Sequence, residues 1–438
     1  MTDKTNIREL ALDMLLEIME HEQYSHLVIR DVLDKYAYLE KQERAFLTRL
    51  VEGTIERTVE LDYIINLFSK VKVRKMKPLI RNLLRMSVYQ LRYMDSVPDS
   101  AVCNEAVKLA KKRGFHQLSG FVNGVLRSIS REPEKIQYPD RRKNPAEYLS
   151  VFYSMPEWIV KEWMDSYGDR RAEELLCAFS KEQALYVRTN LNRTTPEQLM
   201  ESLRAQGIEV AQNASLSYAI ELKNYDNLNA IPEFQNGDFY VQDVSSMMVA
   251  ETAAPKNGDY IIDVCAAPGG KSTHLAEMLN GTGHVQARDL TEYKVGLIQE
   301  NINRHQLANM EAVMWDATVE DAQSVGKADI LICDLPCSGL GVLGKKTDIR
   351  YKMTQEKQQE LVLLQRRILD TVHTYVKPGG TLVYSTCTIH RDENEGNVEW
   401  FLAKYPQFSL DSMQQMFPGE LGQDGFFIAK LIAGEQIQ

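Results

Sequence analysis

The sequence predicts three domains of different class: an all-α domain first, a small α+β domain next, and an α/β domain with a parallel sheet last. Three observations predict this order. From Asn6 to about Ser130 apolar residues recur at helical spacing and strand signals are nearly absent. "REPEKIQYPDRRKNP", Arg131–Pro145, is rich in charge and proline and reads as a linker. Beyond about Pro232, short apolar runs alternate with helix-like segments, the signature of a parallel sheet covered on both faces by helices. The expected boundaries are 1–135, 146–235 and 236–438.

In the first domain Ile7, Leu10, Ala11, Met14, Leu15 and Ile18 share a helical face, as do Ile80, Leu84, Val88 and Leu91. Pro98, Asp99 and Ser100 read as a helix start before "AVCNEAVKLAKKR", with Gly114 as its stop. In the second domain "LYVRTNL" and "IEVAQ" are strand-like, and "TTPEQLMESLRAQG" between them has a Thr–Pro start and a Gly stop. In the third, "YIIDV", "HVQARD", "AVMWD", "ADILICD" and "TLVYSTC" are the expected strands. "STHLAEMLN" and "EKQQELVLLQRRILDTVHTYV" are expected helices.

Composition sets the outer limits. At 438 residues, 44% hydrophobic and 26% charged, the chain is an ordinary globular protein. The N-terminus lacks the charged-then-apolar pattern of a signal peptide. No apolar run approaches the roughly 20 residues of a membrane helix. A cytoplasmic protein without a membrane partner is expected. The six cysteines are sparse and unevenly spaced and form no C-x-x-C pair, which argues against disulfides and structural zinc, and no metal is expected.

The net charge of −10 argues against wholesale nucleic-acid binding, but its distribution matters more. "SKVKVRKMKPLIRNLLRM", Ser69–Met86, carries Lys and Arg and no acid. "KLAKKRG", "DRRKN" and "GKKTDIRYK" add basic clusters. Each alone can be a solvated face; together they suggest a local phosphate-binding surface.

Chemistry concentrates in the third domain. After the first of its strands comes "DVCAAPGGKST", Asp263–Thr273, where Gly269 and Gly270 allow close approach of a ligand to a helix N-terminus. Asp289 follows about 20 residues on, at the next strand end, the usual place of a ribose-binding carboxylate. Asp316 and Asp334 end the third and fourth strands. One strand-end Asp is more often a cap; a row of them lines the sheet edge where ligands bind. Walker spacing is missing, which favours an adenosyl ligand without phosphates. "CDLPCSGLG" places Cys337 after a proline turn, and Cys387 follows a later strand. Two thiols at one cleft fit nucleophilic catalysis, a redox pair, or simple packing.

"DVCAAPGGKST", "CDLPCSGLG" and "YSTCTIHRDENEGNV", with "FYVQDVSSMMVA" and "DGFFIAKLI", resemble the RNA (cytosine-C5) methyltransferase family over roughly Gly237–Ile432. "VCNEAVKLAKKRGFHQLSGFVNGVLRSI" is similar to the NusB-like RNA-binding domain, and the fusion resembles bacterial enzymes acting on cytosine 967 of 16S rRNA. At "LGKKTDIR" relatives often carry two arginines and a proline, where this chain has Gly344 and Thr347.

The resemblance implies a NusB-like front, a Rossmann-like catalytic domain and S-adenosylmethionine as cofactor. It implies a cofactor site at Cys265, Ala266, Ala267, Pro268, Gly269, Gly270 and Lys271, with Asp289, Asp316 and Asp334. Cys387 is the implied nucleophile toward cytosine C6, and Cys337 the implied assistant in product release. The expected partner is 16S rRNA before full subunit assembly, not DNA, and the expected state is a monomer. The alternatives are the same chemistry on tRNA, an RNA-binding scaffold without turnover, and a protein-docking role for the α domain.

Overall fold

Helical spacing of leucine and isoleucine builds the front of the chain. In the computed structural model, which describes residues 6–181, 183–420 and 423–435, these helices are α1 (Ile7–Met19), α2 (Ser25–Lys35), α3 (Lys41–Glu56), α4 (Thr58–Phe68), α5 (Pro78–Tyr93), α6 (Asp99–Lys112), α7 (Ser119–Arg131), α8 (Pro145–Phe152) and α9 (Glu157–Phe179). Asn6 caps α1 by accepting from the backbone N–H of Arg8 and Glu9. Leu12, Leu15, Leu50, Ile64, Leu83, Leu84 and Leu126 are buried in a shared core. Gly53 lets α3 approach α5, because a Cβ there would lie 2.0 Å from the Tyr89 ring.

The chain forms two compact units: one runs to Ser180 and includes Leu343–Lys352, and the other holds Lys181–Val342 and the chain from Met353. The basic run Ser69–Met86 is divided in its use. Arg81 pairs with Glu20 at 2.5 Å and Arg85 with Asp62 at 2.7 Å, so both serve the interior of the helical unit. Lys70, Lys72, Arg74, Lys75 and Lys77 are exposed.

The second unit begins with β1 (Leu185–Thr189), α10 (Pro196–Ala205), β2 (Glu209–Gln212), β3 (Ala219–Lys223), α11 (Pro232–Asn236) and β4 (Phe239–Val241). Its four described strands form an antiparallel sheet in the order β2-β3-β1-β4. Then follow α12 (Val244–Ala253), β5 (Tyr260–Asp263), α13 (Gly270–Met278), β6 (His284–Asp289), α14 (Glu292–His305), β7 (Met310–Met314) and β8 (Ala328–Asp334). Leu343–Lys352, with the short helix α15 (Ile349–Lys352), belongs to the helical unit. The chain returns as α16 (Gln355–Val372), β9 (Val376–Thr386), α17 (Glu395–Lys404), β10 (Phe408–Met416) and β11 (Phe426–Ala433).

The large sheet has the order β10-β11-β9-β8-β5-β6-β7. It is mixed rather than wholly parallel, because β11 runs antiparallel to both β9 and β10. The five strands expected from the sequence, β5 to β9, are parallel to one another, and β11 and β10 extend the sheet beyond β9 with antiparallel pairing. β10 alternates poorly, with most residues exposed between Phe408 and Met416, so it carries no period-2 signal. Ile262, Leu331, Leu382 and Phe427 face one helical layer, and Ile261, Ile330, Val383 and Ile428 the other. The carboxyl ends of β5, β6, β8 and β9 therefore share one edge, as parallel pairing requires.

The stretch "LGKKTDIR" has an internal role. Asp348 is buried and accepts from the Ser25 N–H at 3.1 Å and the Ser25 hydroxyl at 2.6 Å. Arg350, also buried, donates to the Leu343 carbonyl at 3.0 Å and the Ser154 carbonyl at 3.3 Å. Among the described residues no helix is long and apolar enough to cross a membrane.

Candidate active site

The β5–α13 loop is built from its ends inward. Asp263 closes β5 fully buried and accepts from the Ser272 hydroxyl at 2.5 Å. Burial pushes its carboxyl up to about 7, against the hydrogen bond from Ser272. Gly269 caps α13 with φ 107°, a left-handed conformation that disfavours a side chain. Gly270 faces Tyr240, where a Cβ would come within 2.9 Å of the ring, and its carbonyl accepts from Arg188 at 2.8 Å. Pro268 turns its carbonyl to the Asn301 side chain at 2.8 Å, and the buried Ala266 donates to the Arg288 carbonyl at 2.8 Å.

Asp289 ends β6 and is buried. It accepts from the Ala267 N–H at 3.0 Å, the Leu290 N–H at 2.8 Å and Lys294 Nζ at 2.9 Å. An ionised carboxylate has about four acceptor positions, so one remains for a ligand hydroxyl. Asp316 lies two residues beyond β7 rather than at its end. It is exposed and accepts from the Thr318 N–H at 2.8 Å and hydroxyl at 2.7 Å. The hydroxyl bond, then the amide, lowers its pKa.

Asp334 ends β8. One oxygen accepts from Lys271 Nζ at 2.7 Å and the other from the Ser385 hydroxyl at 2.8 Å. Burial works against the Lys271 ammonium, yet the pairing with Asp334 and the proximity of Cys387 hold its pKa above the ordinary value. Lys271 thus pairs with a protein carboxylate beside the thiols.

Cys387 is the first residue after β9, and its sulfur lies 3.2 Å from that of Cys337. The hydrogen bond to Cys387, then burial, raises the Cys337 pKa well above that of a free thiol. The raised pKa favours the thiol form of Cys337, and either sulfur can be the donor in this contact. Burial pushes the Cys265 and Cys333 thiols up as well, but among the described residues neither makes a sulfur–sulfur contact like that of Cys337 with Cys387, and Cys333 is packed in the sheet core.

Sequence reasoning missed the residues that hold this pair. Glu393 is fully buried and accepts from the Ser338 N–H at 2.9 Å, the Ser338 hydroxyl, and Gln365 Nε2 at 2.9 Å. Ser338 also meets the Thr388 hydroxyl at 2.8 Å. This ties the residue after Cys337 to the residue after Cys387. Asn394 receives the Thr386 hydroxyl at 2.5 Å and donates to the Thr388 carbonyl at 3.0 Å. Gly341 donates to the Cys387 carbonyl at 3.1 Å, and a Cβ on Gly341 would lie 2.0 Å from the Gly425 carbonyl oxygen. The available signal was Glu393 inside "HRDENEG", which reads as a solvated loop.

A further buried cluster joins the small sheet to α13. Arg188 on β1 pairs with Glu277 at 3.0 Å and bonds Gln242, while His305 lies 3.0 Å from Glu277. Burial opposes ionisation of Glu277, but Arg188 holds its pKa below the usual value.

Residues 250–432 match the family model described as 16S rRNA methyltransferase RsmB/F, residues 5–131 the NusB family, and residues 155–228 the ferredoxin-like domain of RsmF/B-like methyltransferases. The chain is 37% identical to the probable ribosomal RNA small subunit methyltransferase B of Bacillus subtilis, over 98% of this chain and 99% of that protein. It is 31% identical to ribosomal RNA small subunit methyltransferase B of Salmonella paratyphi A, over 99% of this chain and all of that one, 100%. Among solved structures, PH0851 matches with a TM-score of 0.83 and 25% identity, over 98% of this chain and 99% of that one. The chain therefore belongs to the RsmB/F family of 16S rRNA methyltransferases, with a NusB domain ahead of its catalytic sheet.

Proposed function

We propose that this chain transfers a methyl group to C5 of a cytosine in 16S rRNA, cytosine 967, through a covalent bond between Cys387 and C6 of the base. One observation carries the reading: the sulfurs of Cys337 and Cys387, from two different loops, lie 3.2 Å apart. Methyl transfer in this family uses S-adenosylmethionine, whose cationic sulfonium supplies an electrophilic methyl. The residues of the loop fit that ligand. Asp289 and Asp334, each paired with one lysine, keep acceptor positions that suit ligand hydroxyls and amines, and the exposed Asp316 adds a further carboxylate.

Cytosine C5 is a poor nucleophile unaided. Addition of the Cys387 thiolate to C6 makes C5 enamine-like and able to take the methyl group. The C5 proton then passes to solvent water, its bonding pair re-forms the C5–C6 double bond, and the C6–S bond breaks, returning its electron pair to Cys387. Cys337, protonated and within reach of that sulfur, stabilises the departing thiolate by donating to it. Asp334 keeps acceptor capacity beside Lys271 and Ser385 for the exocyclic amine of cytosine, a group that uracil replaces with an acceptor. The base must leave any stack to reach these groups.

Bisulfite mapping of 16S rRNA from cells with and without this gene tests the proposal. Loss of one 5-methylcytosine, restored by the gene, is the expected outcome. An unchanged map with a new methyl group elsewhere in the RNA would overturn it.

A further inference from the structure

We infer that the groove between α6 and α7 is a seat for the sugar–phosphate backbone of the substrate RNA, separate from the exposed lysines of residues 70–77. This rests on the reading of the chain as an RNA methyltransferase. The groove has a volume of about 430 Å³ and is lined by Asn104, Lys108, Lys111, Gly120, Asn123 and Arg127, among others, with no acidic side chain in its wall. Residues 99–131 hold six Lys or Arg against two Asp or Glu, in a chain of net charge −10.

The cations are not equally available. Lys108 pairs with Glu105 at 2.8 Å, and Lys112 outside the wall pairs with Glu9 at 2.6 Å. Among the described residues, Lys111 and Arg127 make no ion pair, and the Asn104 and Asn123 side chains make no hydrogen bond. Two cations and two amides thus face one groove without protein partners. Amide and guanidinium donors of this kind contact phosphate and ribose oxygens without reading sequence.

The glycines supply a second observation. Gly120 stands in the first turn of α7 and Gly124 one turn later, and neither would meet any atom within 4 Å if it carried a Cβ. Neither has a positive φ. Helix-interior glycine destabilises by roughly 0.5–1 kcal/mol relative to alanine, and here no internal contact requires it. Bare backbone beside a cationic groove suits close approach of a ligand chain.

The test is fluorescence anisotropy of the full chain with a labelled 16S rRNA fragment across a salt series. The combined variant Lys111→Ala/Arg127→Ala should lower the slope of log affinity against log salt by about 1.4, at about 0.7 per contact for single strands. That corresponds to roughly tenfold weaker binding near 0.15 M salt. Gly120→Leu, which adds bulk and no charge, should weaken binding while leaving thermal stability no lower than that of the wild type. Wild-type slope and affinity in both variants would overturn the groove and leave it to a protein partner. If both variants lose affinity while the wild-type enzyme makes no 5-methylcytosine, the groove stands and the C5 chemistry fails.

Discussion

At the β8–β9 edge of the sheet, Asp334, Cys337 and Cys387 are tied into place by buried partners. At the β6–β7 edge, Asp289 has three donors, while Asp316 stands exposed with Thr318 as its hydrogen-bond partner. In the sequence these are equivalent features, each a reactive or acidic residue at a strand end. In the fold they differ in how strongly they are determined. Covalent chemistry needs reacting atoms held within fractions of an ångström. Recognition of a flexible, hydroxyl-bearing cofactor tolerates a looser edge. The catalytic side should therefore respond steeply to substitution and the far side shallowly.

The largest effect is expected at the two sulfurs. Cys387→Ala should abolish methyl transfer and leave no protein–RNA conjugate, because C5 stays unreactive without the bond at C6. Cys337→Ala removes the donor to the departing sulfur, so it should methylate once and accumulate a conjugate that survives denaturing electrophoresis. A conjugate in Cys387→Ala and none in Cys337→Ala would reverse the two roles.

Next is the buried carboxylate behind them. Glu393→Ala leaves the Ser338 N–H buried without its acceptor, at roughly 1–3 kcal/mol, while Gln365 Nε2 loses one of two acceptors and keeps the Pro336 carbonyl at 2.8 Å. Misplacement of the Cys337 loop by about 1 Å can slow catalysis about 100-fold. The expected result is a lower melting temperature and a kcat reduced about 10- to 100-fold, with cofactor affinity measured by calorimetry unchanged. Full activity in a destabilised Glu393→Ala would show that the network serves folding and not the geometry of the thiols.

The strand-end acids also differ in protonation. Asp263 has its folded pKa raised to about 7 from an ordinary value of 3.8. Between those values the folded state holds a proton that the unfolded chain has released, so stability falls as pH rises from about 4 to 7, by at most about 1.4 kcal/mol per pH unit. Asp263→Asn should flatten that stretch of the denaturation curve. An identical pH slope in the variant would place the charge inside β5 at neutral pH.

The grouping of the candidate site residues at one sheet edge was legible because it is local. Glycine pairs, a strand end and a cysteine sit next to one another in the chain, and parallel pairing brings them to one edge. What was not legible depends on distant partners. Glu393 looks solvated beside Arg391, Asp392 and Glu395 until Ser338, 55 residues earlier, and Gln365 converge on it. Arg188 looks like an ordinary outward strand residue, yet Glu277 makes it a buried ion pair. Arg81 and Arg85 read as part of a basic surface because Glu20 and Asp62 lie in other helices. β10 escaped notice because an edge strand with both faces mostly polar has no alternation to read.

The far edge supplies the smallest effects and the sharpest form of the comparison. Asp289→Ala removes an acceptor from the Ala267 N–H and a counter-charge from Lys294, and with them the position left open to a ribose hydroxyl. A hydrogen bond to a charged group contributes about 1.5–3 kcal/mol, so cofactor affinity should fall about 10- to 100-fold with kcat at saturation nearly intact. Unchanged affinity by calorimetry would remove Asp289 from the site. Asp316→Ala should do less. Its carboxylate is solvated, so a bond it makes to a ligand replaces one to water, and the net gain is about 0.5–1.5 kcal/mol at most. An affinity loss of about 2- to 10-fold, with no change in conjugate formation by Cys337→Ala, is the expected outcome. A loss as large as that of Asp289→Ala would mean that binding buries Asp316, and the loose edge would then be one that closes on its ligand.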